Sequence, residues 1–426
     1  SLTETAGQLT IGSFNVENLD PADGAAKFDA LANQIVNHLN APDIVALMEV
    51  QDNSGATNNG VVDATTTYNT LINAIATAGG PTYQFRDINP VDNQDGGEPG
   101  GNIRVGFLFN PARVAFVDRP GAGSTTANSI VNNAGAAQLQ YSPGRIDPTN
   151  GAFSTSRKPL AGEFMFNGHT LIVIANHFNS KGGDDPLFGR MQPPVRSSEV
   201  QRHQQAAIVG NFVQRILAVD ASANVIVLGD LNDFEFSETL NILKMGSGLV
   251  DLVDALPPGE CYTYVFDGNS QVLDHILVSA NLATSAAPEY DIVHVNAEFA
   301  VQSSDHEPEV ARLLLAAAPT YIDVTDQVAT YRSGLTYKRN TQIYEGTITV
   351  TNTSASAIAG PLQIEFQNLT AGVTVVNASG VHAGNAYITS GIGSLAPGAS
   401  ATVPVKFSNP SRVGISYSMR VYAGTF

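Results

Sequence analysis

The chain has 426 residues, 43% hydrophobic, with 21 basic and 39 acidic side chains for a formal net charge of −18, and a single cysteine. That length and apolar content exclude global disorder and call for two or three domains rather than one core. One cysteine excludes an internal disulfide, no apolar run reaches the roughly 18 residues of a membrane span, and the acidic balance argues against the basic footprint usual in polyanion binding.

Residues 1–10 lack a basic segment followed by an apolar one, so a signal peptide is expected to be absent from this sequence or already removed. Residues 9–16 predict the first strand. Phe28, Leu31, Ile35 and Leu39 follow at helical spacing, and 43–50 form a second strand. Residues 89–101 are a Gly- and acid-rich loop. Its Asp92, Asp95 and Glu98 suggest a structural Ca²⁺ site, although the EF-hand spacing is missing. After a strand at 104–109, residues 121–150 lack periodicity and predict a long surface loop. Strands follow at 170–178 and 224–231, separated by a helix with Val200, Ala207, Ile208, Phe212 and Ile216 on one face. Cys261 is expected as a half-buried strand residue, since no cysteine or histidine stands near it at zinc spacing. Strands at 272–279 and 309–315 complete the set. These near-continuous apolar runs suit sheets buried on both faces.

Ala316-Ala317-Ala318-Pro319 predicts a linker, dividing the chain into domains 1–318 and 319–426. Beyond it, Thr, Val, Ser, Asn and Gly dominate, and alternating short strands separated by turns predict an all-β sandwich of roughly 100 residues. From residue 319 onward six basic residues (Arg332, Lys338, Arg339, Lys406, Arg412, Arg420) face four acids (Asp323, Asp326, Glu345, Glu365), for +2. The first 318 residues therefore carry 15 basic and 35 acidic side chains, or −20.

Polar residues gather at the ends of the predicted strands of the first domain, where open α/β folds place ligands. They are Asn15, Glu49, His177, Asp230 with Asn232, and Ser304-Asp305-His306 just before the last strand. Singly, an acid after a strand is more often a cap or turn residue, as Asn18 and Asp20 before Pro21 are expected to be. Asp230 and Asn232 stand two apart and share a side of the strand. Asp274 interrupts an apolar run, so its buried carboxylate needs a partner, and a histidine is the natural candidate. His275 alternates to the opposite face and is set aside as non-catalytic.

In order along residues 9–315, Phe14-Asn15, Met48-Glu49-Val50, Asn176-His177, Gly229-Asp230-Leu231-Asn232-Asp233, Leu273-Asp274-His275 and Ser304-Asp305-His306 together resemble the endonuclease/exonuclease/phosphatase (DNase I-like) family. Gly100-Gly101-Asn102-Ile103-Arg104 and Asn179-Ser180-Lys181-Gly182-Gly183 resemble its bacterial extracellular nuclease branch. The resemblance implies an α+β fold, a four-layer sandwich of two mixed sheets with helices outside; the C-terminal sandwich separately resembles Ig- or fibronectin-like modules appended to secreted bacterial enzymes. The family resemblance implies a secreted, extracellular or periplasmic, Mg²⁺- or Mn²⁺-dependent phosphodiester hydrolase cleaving DNA, with RNA as a further substrate. It gives Asn15, Glu49 and Asp305 to the metal, and Asn232, His177, Arg157 and Lys181 to the substrate phosphate. His306, oriented by Asp274, would act on the attacking water or hold the phosphate, and Asp230 would position or deprotonate that water. The identity of the base and the number of metals stay open. Gln51 stands where pancreatic-type nucleases carry a DNA-contacting arginine, and Lys181, Arg190, Arg196 and Arg202 are the cations that could replace it. Gln51 and the acidic charge favour the alternative, a phosphodiesterase or phosphatase for small or lipid phosphoesters. The accessory domain is expected to act as a spacer, or to contact substrate or the cell surface.

Overall fold

A computed structural model describes residues 2–317 and 320–426, in two compact units on either side of Ala317/Ala318. Two residues of the expected linker, Ala318 and Pro319, lie outside the described residues.

The first unit holds two mixed sheets. Its strands are β1 (Gln8–Leu19), β2 (Ile44–Val50), β3 (Gln84–Arg86), β4 (Arg104–Phe109), β5 (Ala115–Phe116), β6 (Gly144–Arg145), β7 (Leu160–Phe166), β8 (His169–His177), β9 (Asn224–Asp230), β10 (Val250–Asp251), β11 (Asp274–Val278), β12 (Glu289–Ile292) and β13 (Glu309–Leu314). One sheet runs β12-β13-β1-β2-β4-β3; the other runs β10-β11-β9-β8-β7-β5, with β6 also paired to β7. Each is built round one parallel pair, β1/β2 and β8/β9, flanked by antiparallel neighbours.

The period-two rule explains why these strands read as unbroken apolar runs. Leu9, Ile11, Ala46 and Met48 of one sheet and Leu171, Val173, Ile226 and Leu228 of the other face inward into a shared core. The alternate residues face outward. Phe14, Val45 and Leu47 pack under helices α1 (Gly24–Asn33) and α2 (Thr65–Thr77). Ile172, Ile174, Val225 and Val227 pack under α3 (Glu199–Val219) and α4 (Glu238–Ser247). The result is the four-layer α+β sandwich expected of the sequence. No helix among the described residues is long and apolar enough to cross a membrane.

Two local expectations are corrected. Residues 121–150 are not merely a surface loop: they form the hairpin Ile130–Asn133/Ala136–Leu139 and strand β6, and bury Leu139, Arg145 and Ile146. Cys261 is not in a strand; it follows the 3-10 turn Pro258–Glu260, with its thiol facing the Pro257 carbonyl oxygen. In the 89–101 loop, two of the three acids have protein partners. Asp95 pairs with Arg145 and Lys158, and Asp92 accepts from Asn93 and Asn102.

The second unit has two five-stranded sheets enclosing one core, with Ile348, Val403 and Phe407 from one sheet meeting Ile364, Phe366 and Val421 from the other.

Candidate active site

The two parallel pairs end on the same side of the sandwich, and their last residues meet. Asn15 closes the regular β1/β2 pairing before its register shifts, Glu49 is the next-to-last residue of β2, and His177 and Asp230 lie opposite one another at the ends of β8 and β9. Asn15 Nδ2 donates to Glu49 Oε1 (3.1 Å) and Asp230 Oδ2 (3.2 Å), so one amide spans the two sheets. His177 Nε2 stands 3.8 Å from Glu49 Oε1 and 3.5 Å from Asp230 Oδ2. His306 Nε2 lies 3.8 Å from Asp230 Oδ2, and its Nδ1 is bonded to Asp274 Oδ2 at 2.7 Å. The buried Asp274 carboxylate thus has a histidine partner.

Local backbone geometry aims these groups. Glu49 adopts a left-handed φ of 63°, where the β2/β4 register shifts, and its Oε2 accepts from the Asn18 N–H at 3.0 Å. A left-handed non-glycine residue costs conformational energy and persists where the surroundings hold it. Asn232, at φ 52°, donates its backbone N–H to Asp230 Oδ1 and its side-chain amide to the Phe178 carbonyl. Gly229 between the strands has φ 125°, and a Cβ there would sit 2.1 Å from the Asn176 carbonyl oxygen, so no other residue fits. Ser304 Oγ donates to the Asn15 carbonyl and accepts from the His306 N–H, tying the Ser-Asp-His segment to the end of β1.

The electrostatics follow from crowding acids under low solvent exposure. Burial, followed by the Asp274 and Glu49 charges, pushes Asp230 up to about 7 against the opposing pull of His306. Burial works against charge on His306, but Asp274 and Asp230 outweigh it and hold the ring well above the usual histidine range. Burial, Arg157 and His306 all depress His177, leaving it a neutral ring.

Not every residue singled out in the sequence reaches the cavity. Asp305 does, with a side chain 42% exposed and Oδ1 3.9 Å from His306 Nε2. Lys181 does too, with Nζ bonded to Asp233 Oδ1 at 2.7 Å. Arg157 is buried just behind the site, donates to the Phe178 carbonyl and feels the Glu49 and Asp230 charges, but is not among the residues that line the cavity. Arg202, fully buried against Asp233 and Asp184, cannot replace the missing groove arginine; Arg196 lines the cavity and pairs with Glu199, and Arg190 is exposed. Gln51 is itself buried, beside Gly101. Asn15, read as a metal ligand, accepts one hydrogen bond at Oδ1 from the Glu17 N–H, which leaves that oxygen a second lone pair, and holds its Nδ2 between carboxylates.

Glu49, His177 and Asp230 place donor atoms within 4.8 Å of one another, as do Asp230, Asp274 and His306. Hard carboxylate oxygens crowded enough to raise Asp230 suit a divalent cation of the Mg²⁺ type. Asp305 falls outside both groups. The cavity they floor has a volume of about 550 Å³ and a wall the sequence reading missed, formed by Phe234, Tyr264 and Phe266. The only sequence signal for it was the aromatic pair spaced by one residue in Tyr264-Val265-Phe266, which alternates onto one face of a hairpin.

A model of the Endonuclease/Exonuclease/phosphatase family matches residues 12–306. Among curated proteins none matches the chain. Similar solved structures include the human Nocturnin catalytic domain with bound sulfate anion (15% identity, 73% of this chain and 96% of that one, TM-score 0.46). They also include humanized D. rerio TDP2 carrying 14 mutations (18%, 72% and 99%, 0.45) and a mannosyl-6-phosphatase of Bacteroides thetaiotaomicron (16%, 72% and 99%, 0.43).

Proposed function

The chain belongs to the endonuclease/exonuclease/phosphatase family of metal-dependent phosphoester hydrolases, and from that premise we propose that it is a nuclease cleaving the phosphodiester bonds of DNA, and of RNA in second place. The observation that carries this reading is the convergence of Asn15, Glu49, His177, Asp230 and the His306–Asp274 pair at one end of both sheets, with Glu49, His177, Asp230 and His306 lining one cavity. Phosphodiester hydrolysis needs an oriented water, neutralised equatorial oxygens and help for the leaving oxygen.

In this reading Asp230, which ionises only as pH rises through about 7, orients and deprotonates the water. The His306 imidazolium, fixed by Asp274, offers Nε2–H to a phosphate oxygen. Neutral His177 and the Asn232 amide donate to the remaining oxygens, and Lys181 adds positive charge at the rim. A divalent cation, Mg²⁺ or Mn²⁺, held by Glu49 with Asn15 and Asp305 as further oxygen donors, would supply charge neutralisation at the phosphate.

The Gly100–Arg104 and Asn179–Gly183 motifs support placing the chain in the bacterial extracellular branch, and its acidity suits a salty medium outside the cytoplasm. The second unit would be an Ig- or fibronectin-like accessory module. The −18 charge and the buried Gln51 favour a second reading, hydrolysis of small or lipid phosphoesters. Plasmid nicking with and without a chelator, run beside a p-nitrophenyl phosphodiester assay, separates the two. Chelator-sensitive nicking is expected. Turnover of the small diester alone would favour the second reading, and turnover of neither would overturn both.

A further inference from the structure

Aromatic side chains surround the reacting groups in a pattern the phosphate chemistry does not require. Phe234 and Phe236 follow the Asp230–Asn232 turn and stack at 5.3 Å with their planes 20° apart. Across the cavity stands the hairpin Tyr264–Phe266/Asn269–Gln271. Tyr264 is bridged through its backbone to His306, and their rings lie 4.9 Å apart. Phe234, Tyr264 and Phe266 all line the cavity. Phe236 and Phe266 are 61% and 47% exposed. Exposed apolar side chains gathered in one patch with a polar rim mark an interaction site. Lys181 holds its ammonium 4.0 Å above the Phe234 ring, so cation and π-face are presented together.

We propose that this aromatic cleft takes one unpaired nucleobase beside the scissile phosphodiester, making single-stranded or frayed nucleic acid the preferred substrate. The inference rests on the nuclease reading above and adds its substrate class. Four observations favour that occupant. The cleft is continuous with His306 and Asp230, so its ligand is attached to the reacting phosphate. Its volume of about 550 Å³ is in the range of pockets for a single small ligand. A paired base is held in its own stack and reaches such a pocket only after flipping out. Stacked aromatic faces beside a cation are the arrangement that binds bases without reading their edges. The cleft carries little positive charge to follow a duplex backbone: Lys181 is paired with Asp233 and Arg196 with Glu199.

The test compares Mg²⁺-dependent cleavage of a single-stranded oligonucleotide, the same strand with an abasic residue beside the cut, and the matching duplex. The wild-type protein should cleave the base-bearing strand about ten- to a hundredfold faster than the abasic one, the span that loss of one base stack commands. It should also prefer the strand to the duplex. Phe266→Leu, which keeps bulk but not the π-face, should bring the base-to-abasic ratio toward one, and Phe266→Tyr should restore it. Phe266 is exposed at a hairpin, so folding is spared. Equal cleavage of base-bearing and abasic strands by the wild type, or a ratio that Phe266→Leu leaves intact, overturns the cleft assignment alone. Cleavage of none of the three substrates overturns the nuclease reading on which it stands.

Discussion

His306 is held between three carboxylates, Asp274 at 2.7 Å, Asp230 at 3.8 Å and Asp305 at 3.9 Å, and its charge opposes the burial that raises Asp230 to about 7. Removing either member of the His306–Asp230 pair therefore removes a reacting group and shifts its neighbour. We expect His306→Ala and Asp230→Ala each to lower kcat at least ~100-fold, the scale of a lost general acid or base, with far-UV circular dichroism unchanged. Near-normal turnover by either variant would remove that residue from the chemistry. Gly229 makes a different kind of prediction. A methyl group would meet the Asn176 backbone oxygen, which cannot move aside without breaking the β8/β9 ladder. Gly229→Ala should destabilise the first unit by about 2 kcal/mol or more, read as a lower urea midpoint. The Gly of the Gly-Asp-x-Asn motif is a packing requirement, and a variant as stable as the parent would contradict that.

At the scale of elements, the turn after β9 is clamped from behind. His275, on the face of β11 opposite Asp274, is buried with Nδ1 2.8 Å from Asp251 Oδ2 and Nε2 2.9 Å from the Asp233 carbonyl oxygen. Both partners accept, so both ring nitrogens carry hydrogen and the ring is an imidazolium. Burial opposes this, but Asp251 and the two hydrogen bonds raise the ring to about 9. A histidine raised above its unfolded value of about 6.5 stabilises fully below that value, and the contribution fades as pH rises through about 9. The shift corresponds to roughly 3 kcal/mol at most. Urea unfolding at pH 6 and pH 9.5 should show the parent losing more stability on alkalinisation than His275→Gln. Equal losses in the two proteins would mean that the pair is not charged in the folded state.

That clamp was legible only in part. Alternation along 272–279 put His275 on the far face from Asp274, yet nothing in the sequence named Asp251 as its partner, because the two meet through the β10/β11 pairing. The same division runs through the whole first unit. Strand positions and inward or outward facing follow from local period-two patterning, so β1, β2, β8, β9 and β13 could be read directly. Strand β7 could not, since Leu160-Ala161-Gly162-Glu163 breaks the apolar run with a buried glutamate whose partner, Arg119, lies on a distant segment. The Asn15, Glu49, His177, Asp230 and His306 set was legible as spaced motifs at strand ends. The burial of Arg157 and Arg202 and the aromatic wall depend on how loops fold back, and local spacing does not encode that.

The molecule as a whole poses a conflict between its charge and a polyanionic substrate. The catalytic unit carries −20 across its 15 basic and 35 acidic residues, and several of the cations near its site are already paired with acids. A phosphate backbone therefore approaches a surface of its own sign, and one bound divalent ion offsets only two of those charges. Repulsion of this kind acts over the Debye length, about 30 Å at 0.01 M salt but only about 8 Å at 0.15 M. Basic nucleic-acid binders weaken as salt rises, with a log–log slope near −0.9 per phosphate neutralised. For this chain the sign should invert. At constant saturating Mg²⁺, kcat/KM for a single-stranded oligonucleotide should rise as NaCl goes from about 10 to about 150 mM, while turnover of a small p-nitrophenyl diester, with one charge to repel, should stay nearly flat. A steep fall for the oligonucleotide would mean that a local basic track governs approach despite the net charge, and would sink the argument from the acidic surface. A flat response would place the oligonucleotide's contacts entirely within the short-range cavity, where screening by bulk salt is weak.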